Sequence, residues 1–241
     1  MRLQLNCDLA ELDNGVEQLV MPHIDMANVA CALHAGNIDL IQSTIALAKH
    51  HQVSVGAHPS YNDPENFGRQ SVALSPQQLQ SLLLYQIGAL EAMTHAQGVS
   101  LAYVKPHGAL YNDMMVDKEM LTTILKVVGS LKNPVKLMLL ATADNHQYQE
   151  LAQQYGVELI FEAFADRLYT DQGTLTSRSI AGAVLTKEQS LAQVELLVKE
   201  GKVITGSGKS LALHADSICV HGDNEQSIAM IQAIKHLCKS S

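Results

Sequence analysis

Short apolar runs alternate along this chain with segments whose apolar residues recur at helical spacing, nearly from one end to the other. The runs predict strands over Leu3–Asp8, Ala27–Cys31, Val53–Ala57, Leu101–Lys105, Val135–Leu140, Val157–Phe161 and Ser217–His221. Helix signals lie between them. Ser75-Pro76-Gln77-Gln78 combines an N-cap, a proline at the first helical position and a capping-box glutamine, and Gly98 offers the stop. Thr186 with Gln189 opens another helix, ended near Gly201, and Asn37 and Asp223 are placed to cap two more. Strand–helix units repeated in this way predict a parallel sheet with its helices outside. Seven units predict a closed or nearly closed β/α barrel, of α/β class, as one domain over residues 1–241. The alternative, an open doubly wound sheet, lacks its glycine-rich fingerprint. Lys202–Leu213 breaks the rhythm and predicts a hairpin turning at Gly206-Ser207-Gly208.

Strand parity adds direction, because successive side chains face opposite ways. Leu3, Leu5 and Cys7 share one face of the first strand, and Gln4, Asn6 and Asp8 the other. Ser54, Gly56 and His58 oppose Val53, Val55 and Ala57, while Tyr103 and Lys105 oppose Ala102 and Val104. The apolar faces should meet helices. The polar faces should point into the barrel, with chemistry at the C-terminal mouth.

Composition narrows the partners. Acidic side chains exceed basic ones, 24 to 16, with no Lys/Arg-rich run, so neither nucleic acid nor an anionic membrane is expected. The opening MRLQLNCDLAE lacks a long apolar stretch, and Cys7, Cys31, Cys219 and Cys238 form no CxxC pair. A cytoplasmic location with free thiols is expected.

The chemistry collects at strand ends: NCDLAE (Asn6 to Glu11), ANVACALHAGN (Ala27 to Asn37), GAHPSY (Gly56 to Tyr61), VKPHGALYN (Val104 to Asn112), FADRLY (Phe164 to Tyr169) and CVHGD (Cys219 to Asp223). A barrel brings such ends to one mouth, so His34, His58, His107 and His221 predict a shared site. Histidine suits proton transfer, and Asp8 or Asp166 can serve as base. Lys105 can meet a substrate carboxylate or phosphoryl oxygen beside His107; the alternative is an internal ion pair with Asp8 or Glu162. No HExxH or HxxxH spacing fixes two metal ligands on one element, so the expectation is acid–base chemistry in which neither His58 nor His107 needs a metal. Gly206-Ser207-Gly208-Lys209-Ser210 imitates the end of a phosphate-binding loop, but Val203 stands where a glycine is required and a strand pattern follows. Cys219, inward by parity and near His221, is a minor candidate nucleophile.

Taken in order, these motifs resemble the LamB/YcsF family, together with FGR (Phe67 to Arg69), LYQIGAL (Leu84 to Leu90) and Ser177-Arg178, over nearly the whole chain. The resemblance implies a seven-stranded parallel barrel of glycoside hydrolase/deacetylase type. It implies ATP-dependent cleavage of 5-oxo-L-proline to L-glutamate in a complex with 5-oxoprolinase subunits B and C. ATP would be a co-substrate with magnesium, and no tightly bound cofactor is expected. The expected catalytic residues are Asp8, Glu11, His58, Lys105, His107 and Asp166; the expected substrate-binding residues are Asn6, Asn28, His34, Arg167, His221 and Asp223; no metal ligand is expected. Departures from the family pattern fall at Ala10 and at Ala32-Leu33, where glycine and Gly-Phe are usual, and at Asn37, where aspartate is usual. Alanine there is costly if the loops need positive φ. The rival readings are a metal-dependent sugar deacetylase and a non-catalytic barrel that delivers a ligand to partners.

Overall fold

A computed structural model describes residues 3–221 and 225–239. Its strands are β1 (Gln4–Leu9), β2 (Met26–Ala30), β3 (Ser54–His58), β4 (Leu101–Val104), β5 (Lys136–Leu140), β6 (Leu159–Phe164), β7 (Lys202–Ile204), β8 (Ser210–Ala212) and β9 (Ser217–Val220). Seven of them close a parallel barrel in the order β1-β2-β3-β4-β5-β6-β9, and β7 and β8 pair antiparallel as the predicted hairpin. The helices are α1 (Val16–Val20), α2 (Ile38–His51), α3 (Pro76–Ala96), α4 (Gly108–Val116), α5 (Lys118–Gly129), α6 (His146–Gln153), α7 (Lys187–Glu200) and α8 (Glu225–Lys239).

Local sequence explains the boundaries. Ser75 and Thr186 each form a full capping box at the start of α3 and α7, and Asn37 caps α2 by accepting from the Leu40 amide at 2.9 Å. Gly201 ends α7 at φ 64°. The Asp223 cap lies outside the described residues. β6 departs from expectation, running to Phe164 rather than ending at Phe161. Glu162 interrupts the apolar run in the sequence, yet it sits inside the strand, pairs in register with Ser217 of β9 and is fully buried. β4 stops before Lys105-Pro106, since proline offers no amide to continue the ladder.

The barrel divides its contents by parity. Leu5, Cys7, Leu9, Ala27 and Val29 face outward into the main core beneath the helices. Inside, Met26, Tyr103, Met138 and Ile160 form a separate apolar floor. Gly56 makes this floor possible, because a Cβ there would overlap the Tyr103 ring. The Tyr103 hydroxyl rises from the floor to donate to Asn28 Oδ1 at 2.6 Å, where the interior turns polar.

Candidate active site

The polar interior is one connected network. Asn6 Nδ2 donates to Ser217 Oγ at 2.7 Å and to Glu162 Oε2 at 3.2 Å. Asn28 Nδ2 donates to Asn6 Oδ1 at 2.8 Å and to Asp8 Oδ1 at 2.7 Å. Lys105, 2% exposed, lies in the middle, with Nζ 3.0 Å from both Asp8 Oδ1 and Glu162 Oε2 and 3.1 Å from Asn6 Oδ1. A lysine this deep is costly without anionic partners, and it has two. Burial pulls its pKa down, but Asp8 and the other anionic neighbours win and hold it well above the ordinary value. Burial likewise pushes Asp8 up, yet His58 and Lys105 hold its carboxyl well below the usual range. The internal ion pair weighed from sequence is therefore present, with both candidate partners at once.

Above this network, four titratable side chains meet. His58 ends β3, Asp8 lies near the end of β1, and Glu11 and His107 stand on the loops after β1 and β4. His58 Nε2 is 2.9 Å from His107 Nδ1, 3.4 Å from Asp8 Oδ2 and 3.8 Å from Glu11 Oε1; His107 Nδ1 is 3.3 Å from Glu11 Oε1. His34 stacks on His107 with ring centroids 3.8 Å apart, and its Nε2 lies 3.0 Å from Glu11 Oε1. Burial lowers His34 to about 4, so the ring is neutral near pH 7. Glu11 is pushed up by burial but drawn down to about 2 by the hydrogen bonds from His107 and His34.

The loops that carry these groups are strained where the family resemblance indicates. Ala10 and Ala32 both adopt φ 61°, the left-handed region that disfavours any Cβ. The Ala10 amide is held by the buried carboxylate of Glu17 at 3.1 Å, which keeps the loop shape that glycine would adopt freely. Gly68, at φ 65°, lies against the stacked histidines: a Cβ there would approach His34 Cβ at 2.9 Å and His107 Cδ2 at 3.0 Å.

A second group adjoins the cluster on the β9 side, where His221 comes within 4.8 Å of Asp8. His221 Nδ1 donates to Asp166 Oδ2 at 2.9 Å, and the exposed Arg178 reaches His221 Nε2 at 3.3 Å. Burial depresses His221, but Asp166 together with Asp8 holds it above its ordinary value. Arg167 is committed elsewhere, donating from Nη2 to the Thr176 carbonyl at 2.7 Å. The predicted site residues thus fall into three places. Asp8, Glu11, His34, His58 and His107 form the cluster; Asn6, Asn28 and Lys105 lie beneath it; Asp166 and His221 face it, with Arg167 set apart and Asp223 outside the described residues.

Two further sequence readings meet their surroundings here. Cys219 is buried 3.3 Å from Lys105 Nζ, and burial pushes its thiol well above the ordinary value, which disfavours a nucleophilic thiolate. The Gly206-Ser207-Gly208 turn is occupied by Asp171, which accepts from Thr205 and Ser207 and pairs with Lys209 at 2.9 Å. Such a turn is no phosphate cradle.

Some participants were not singled out from sequence. Ser60 Oγ meets His34 Nδ1 at 2.8 Å, and Gln86 clamps the Ser60 backbone by accepting from its amide and donating to its carbonyl, both at 2.9 Å. The signal for Gln86 was present: it is a polar residue on the apolar face of α3, inside LYQIGAL. The Phe67 carbonyl, which accepts from His107 Nε2 at 2.9 Å, carries no side-chain signal at all.

Comparison with known proteins identifies relatives over nearly the whole chain. The chain is 48% identical over 239 residues to a protein of Vibrio parahaemolyticus named as the A subunit of 5-oxoprolinase, covering 97% of this chain and 94% of that one. A protein of the same name from Pseudomonas fluorescens is 46% identical over 239 residues, covering 97% of this chain and 96% of that one. The crystal structure of a lactam utilization protein from Thermus thermophilus superposes with a TM-score of 0.89 at 35% identity, covering 100% of this chain and 97% of that chain. The LamB/YcsF family model matches residues 3–241, and on a match of that extent the chain belongs to the LamB/YcsF family.

Proposed function

We propose that this chain is the A subunit of a 5-oxoprolinase and opens the lactam ring of 5-oxo-L-proline to give L-glutamate, driven by ATP and together with subunits B and C. The observation that carries the reading is the convergence of Asp8, Glu11, His58 and His107 at the barrel mouth, beside relatives that bear this name. A five-membered lactam is a stabilised amide. Phosphorylation of its oxygen by ATP, with magnesium accompanying the nucleotide, turns that oxygen into a leaving group. Water then adds to the ring carbon, the C–N bond breaks as the ring nitrogen takes a proton, and a second water displaces phosphate from the resulting acyl phosphate to leave the carboxylate of L-glutamate. In this scheme the cluster holds and deprotonates the water. His34 fixes Glu11, and Lys105, held between Asp8 and Glu162, positions Asp8. Arg178, beside the Asp166–His221 pair, supplies positive charge for the substrate carboxylate or the phosphoryl group. Among the described residues no helix is long and apolar enough to cross a membrane, and four buried free cysteines suit a reducing compartment such as the cytoplasm.

The test is ATP-coupled glutamate release from 5-oxoproline by the three purified subunits. Release should require this chain, and this chain alone, with ATP, should be nearly inactive. Full release without it, or robust hydrolysis by it alone, overturns the reading.

A further inference from the structure

The two imidazoles at the centre of the cluster have fixed tautomers. His58 Nδ1 faces the Lys105 carbonyl at 2.7 Å, and His107 Nε2 faces the Phe67 carbonyl at 2.9 Å. A carbonyl oxygen only accepts, so both of those nitrogens carry hydrogen. In the neutral rings, His58 Nε2 and His107 Nδ1 are then lone pairs, and they face each other at 2.9 Å. Both residues are more than nine-tenths buried, at 1% and 6% exposure. Two carboxylate oxygens, Asp8 Oδ2 and Glu11 Oε1, point at the same place. Such an arrangement of donors requires a cation among them. A proton on one ring can bridge two of these atoms, or weakly three, and leaves Asp8 Oδ2 facing the His58 lone pair at 3.4 Å.

We infer that Asp8 Oδ2, Glu11 Oε1, His58 Nε2 and His107 Nδ1 are the ligands of one divalent transition metal of the zinc type. All six separations among the four ligand atoms are within 4.8 Å, and four of them, 2.9, 3.3, 3.4 and 3.8 Å, bracket the edge of a tetrahedron. That edge is about 3.3 Å for metal–ligand bonds of roughly 2.0–2.1 Å. Two imidazole nitrogens with two carboxylate oxygens suit zinc and its neighbours better than magnesium, which prefers six oxygens. The support around the ligands has the form such sites need, each ligand being oriented by a further hydrogen bond. The backbone carbonyls orient the histidines, Asn28 and Lys105 hold Asp8 Oδ1, and His34 holds Glu11. The Asp8 and Glu11 side chains retain 14% and 17% exposure, which leaves one side open to water or substrate. A neighbouring trio, Asp8, Cys219 and His221, carries no such site, because Arg178 stands 3.3 Å from His221 Nε2 and Lys105 Nζ lies 3.3 Å from the buried Cys219 thiol. The inference replaces the sequence-based expectation that neither histidine needs a metal. It stands apart from the proposed reaction, since metal content is read without substrate or partner subunits.

The experiment strips the untagged chain with a chelator and titrates it with zinc by calorimetry and with cobalt by visible absorption. The expected result is one tightly bound equivalent, a raised melting temperature and the strong visible bands of low-coordinate cobalt. His34→Ala should weaken binding roughly 10–100-fold through Glu11. An Asp8→Asn/His107→Gln double variant should lose the tight equivalent, and Arg178→Gln should keep it. A wild-type chain that takes up no tight equivalent, or gives only the weak spectrum of hydrated cobalt, overturns the inference. So does tight binding retained by the folded double variant. The wild-type spectrum decides the matter even if that variant fails to fold.

Discussion

The two sides of the barrel mouth are built differently. On the side of β1 to β4, five titratable residues are buried or nearly so, every ring nitrogen has a partner within 3.0 Å, Asp8 is held by Asn28 and Lys105, and Glu11 is held by His34. On the side of β6 and β9, one His–Asp pair at 2.9 Å is approached by an exposed arginine at 3.3 Å. The closely held side fixes reacting groups to fractions of an ångström, as bond-making chemistry demands. The other side offers the exposed positive charge of Arg178, which suits recognition of an anion. The contrast predicts that substitutions on one side act on turnover and fold stability, and on the other mainly on substrate affinity.

The sharpest break of that contrast is Lys105→Met, which leaves the buried carboxylates of Asp8 and Glu162 facing each other without their cation. Loss of one partner from a buried pair costs about 3–5 kcal/mol, and the melting temperature should fall by roughly 6–20 °C. Adding Glu162→Gln should recover part of the loss. An unchanged melting temperature in Lys105→Met would show that the pair contributes nothing to the closely held side.

Next in size are the activity effects. In the assembled enzyme, His58→Gln should lower kcat at least about 100-fold, near 2.7 kcal/mol. Arg178→Gln should instead raise KM about tenfold, near 1.4 kcal/mol, with kcat nearly kept. Steady-state kinetics of both variants checks this. Equal effects on kcat would erase the distinction, and full activity of His58→Gln would favour a barrel that only delivers a ligand.

Backbone fit is the third probe. Gly68→Ala places a Cβ against the stacked His34 and His107 in a left-handed conformation, and crowding of this kind costs about 1–3 kcal/mol in a denaturant melt. Ala10→Gly and Ala32→Gly act in the opposite sense. Relief of the left-handed strain, about 1–2 kcal/mol, is partly offset by about 0.4–1 kcal/mol of added chain entropy. Each should be neutral or stabilising by up to about 1 kcal/mol, and clear destabilisation by either would remove strain as a property of these loops.

The smallest effect is a pH dependence on the side of β6 and β9. Asp166 raises His221, so that contribution is fully present below about pH 6.5 and fades as pH rises through the folded value. Burial pushes Asp166 up, but His221 holds it below its ordinary value, so its contribution is present above about pH 4 and fades as pH falls through the folded value. Urea midpoints compared at pH 5.5 and 8.5 should drop by under about 1 kcal/mol in the wild type, and the Asp166→Asn variant should lose that slope. An unchanged slope in the variant removes the pair from the account.

By itself the sequence determined the barrel. Its periodicities, capping boxes and strand parity depend on neighbours a few residues apart, and they placed Asn6, Asp8, His58 and Lys105 inside before any contact was known. The same motifs fixed the family and named every residue of the four-donor cluster. What they could not settle was grouping. The sequence offered Asp8 or Glu162 as partner of Lys105, and only closure of β6 against β9 shows that both serve at once. Asp166 and His221 read as members of the same site as His58, and pairing of β9 with β1 brings His221 within 4.8 Å of Asp8 while Asp166 holds its other side. A metal at the donor set was set aside for the same reason: its four ligands come from three strand ends, and no HExxH or HxxxH spacing joins two of them. Backbone groups such as the Phe67 carbonyl fix the histidine tautomers and leave no mark in the sequence, since every residue has one. Local pattern decides which way a side chain points, and the curvature of the closed sheet decides which of those side chains come within 4 Å of one another.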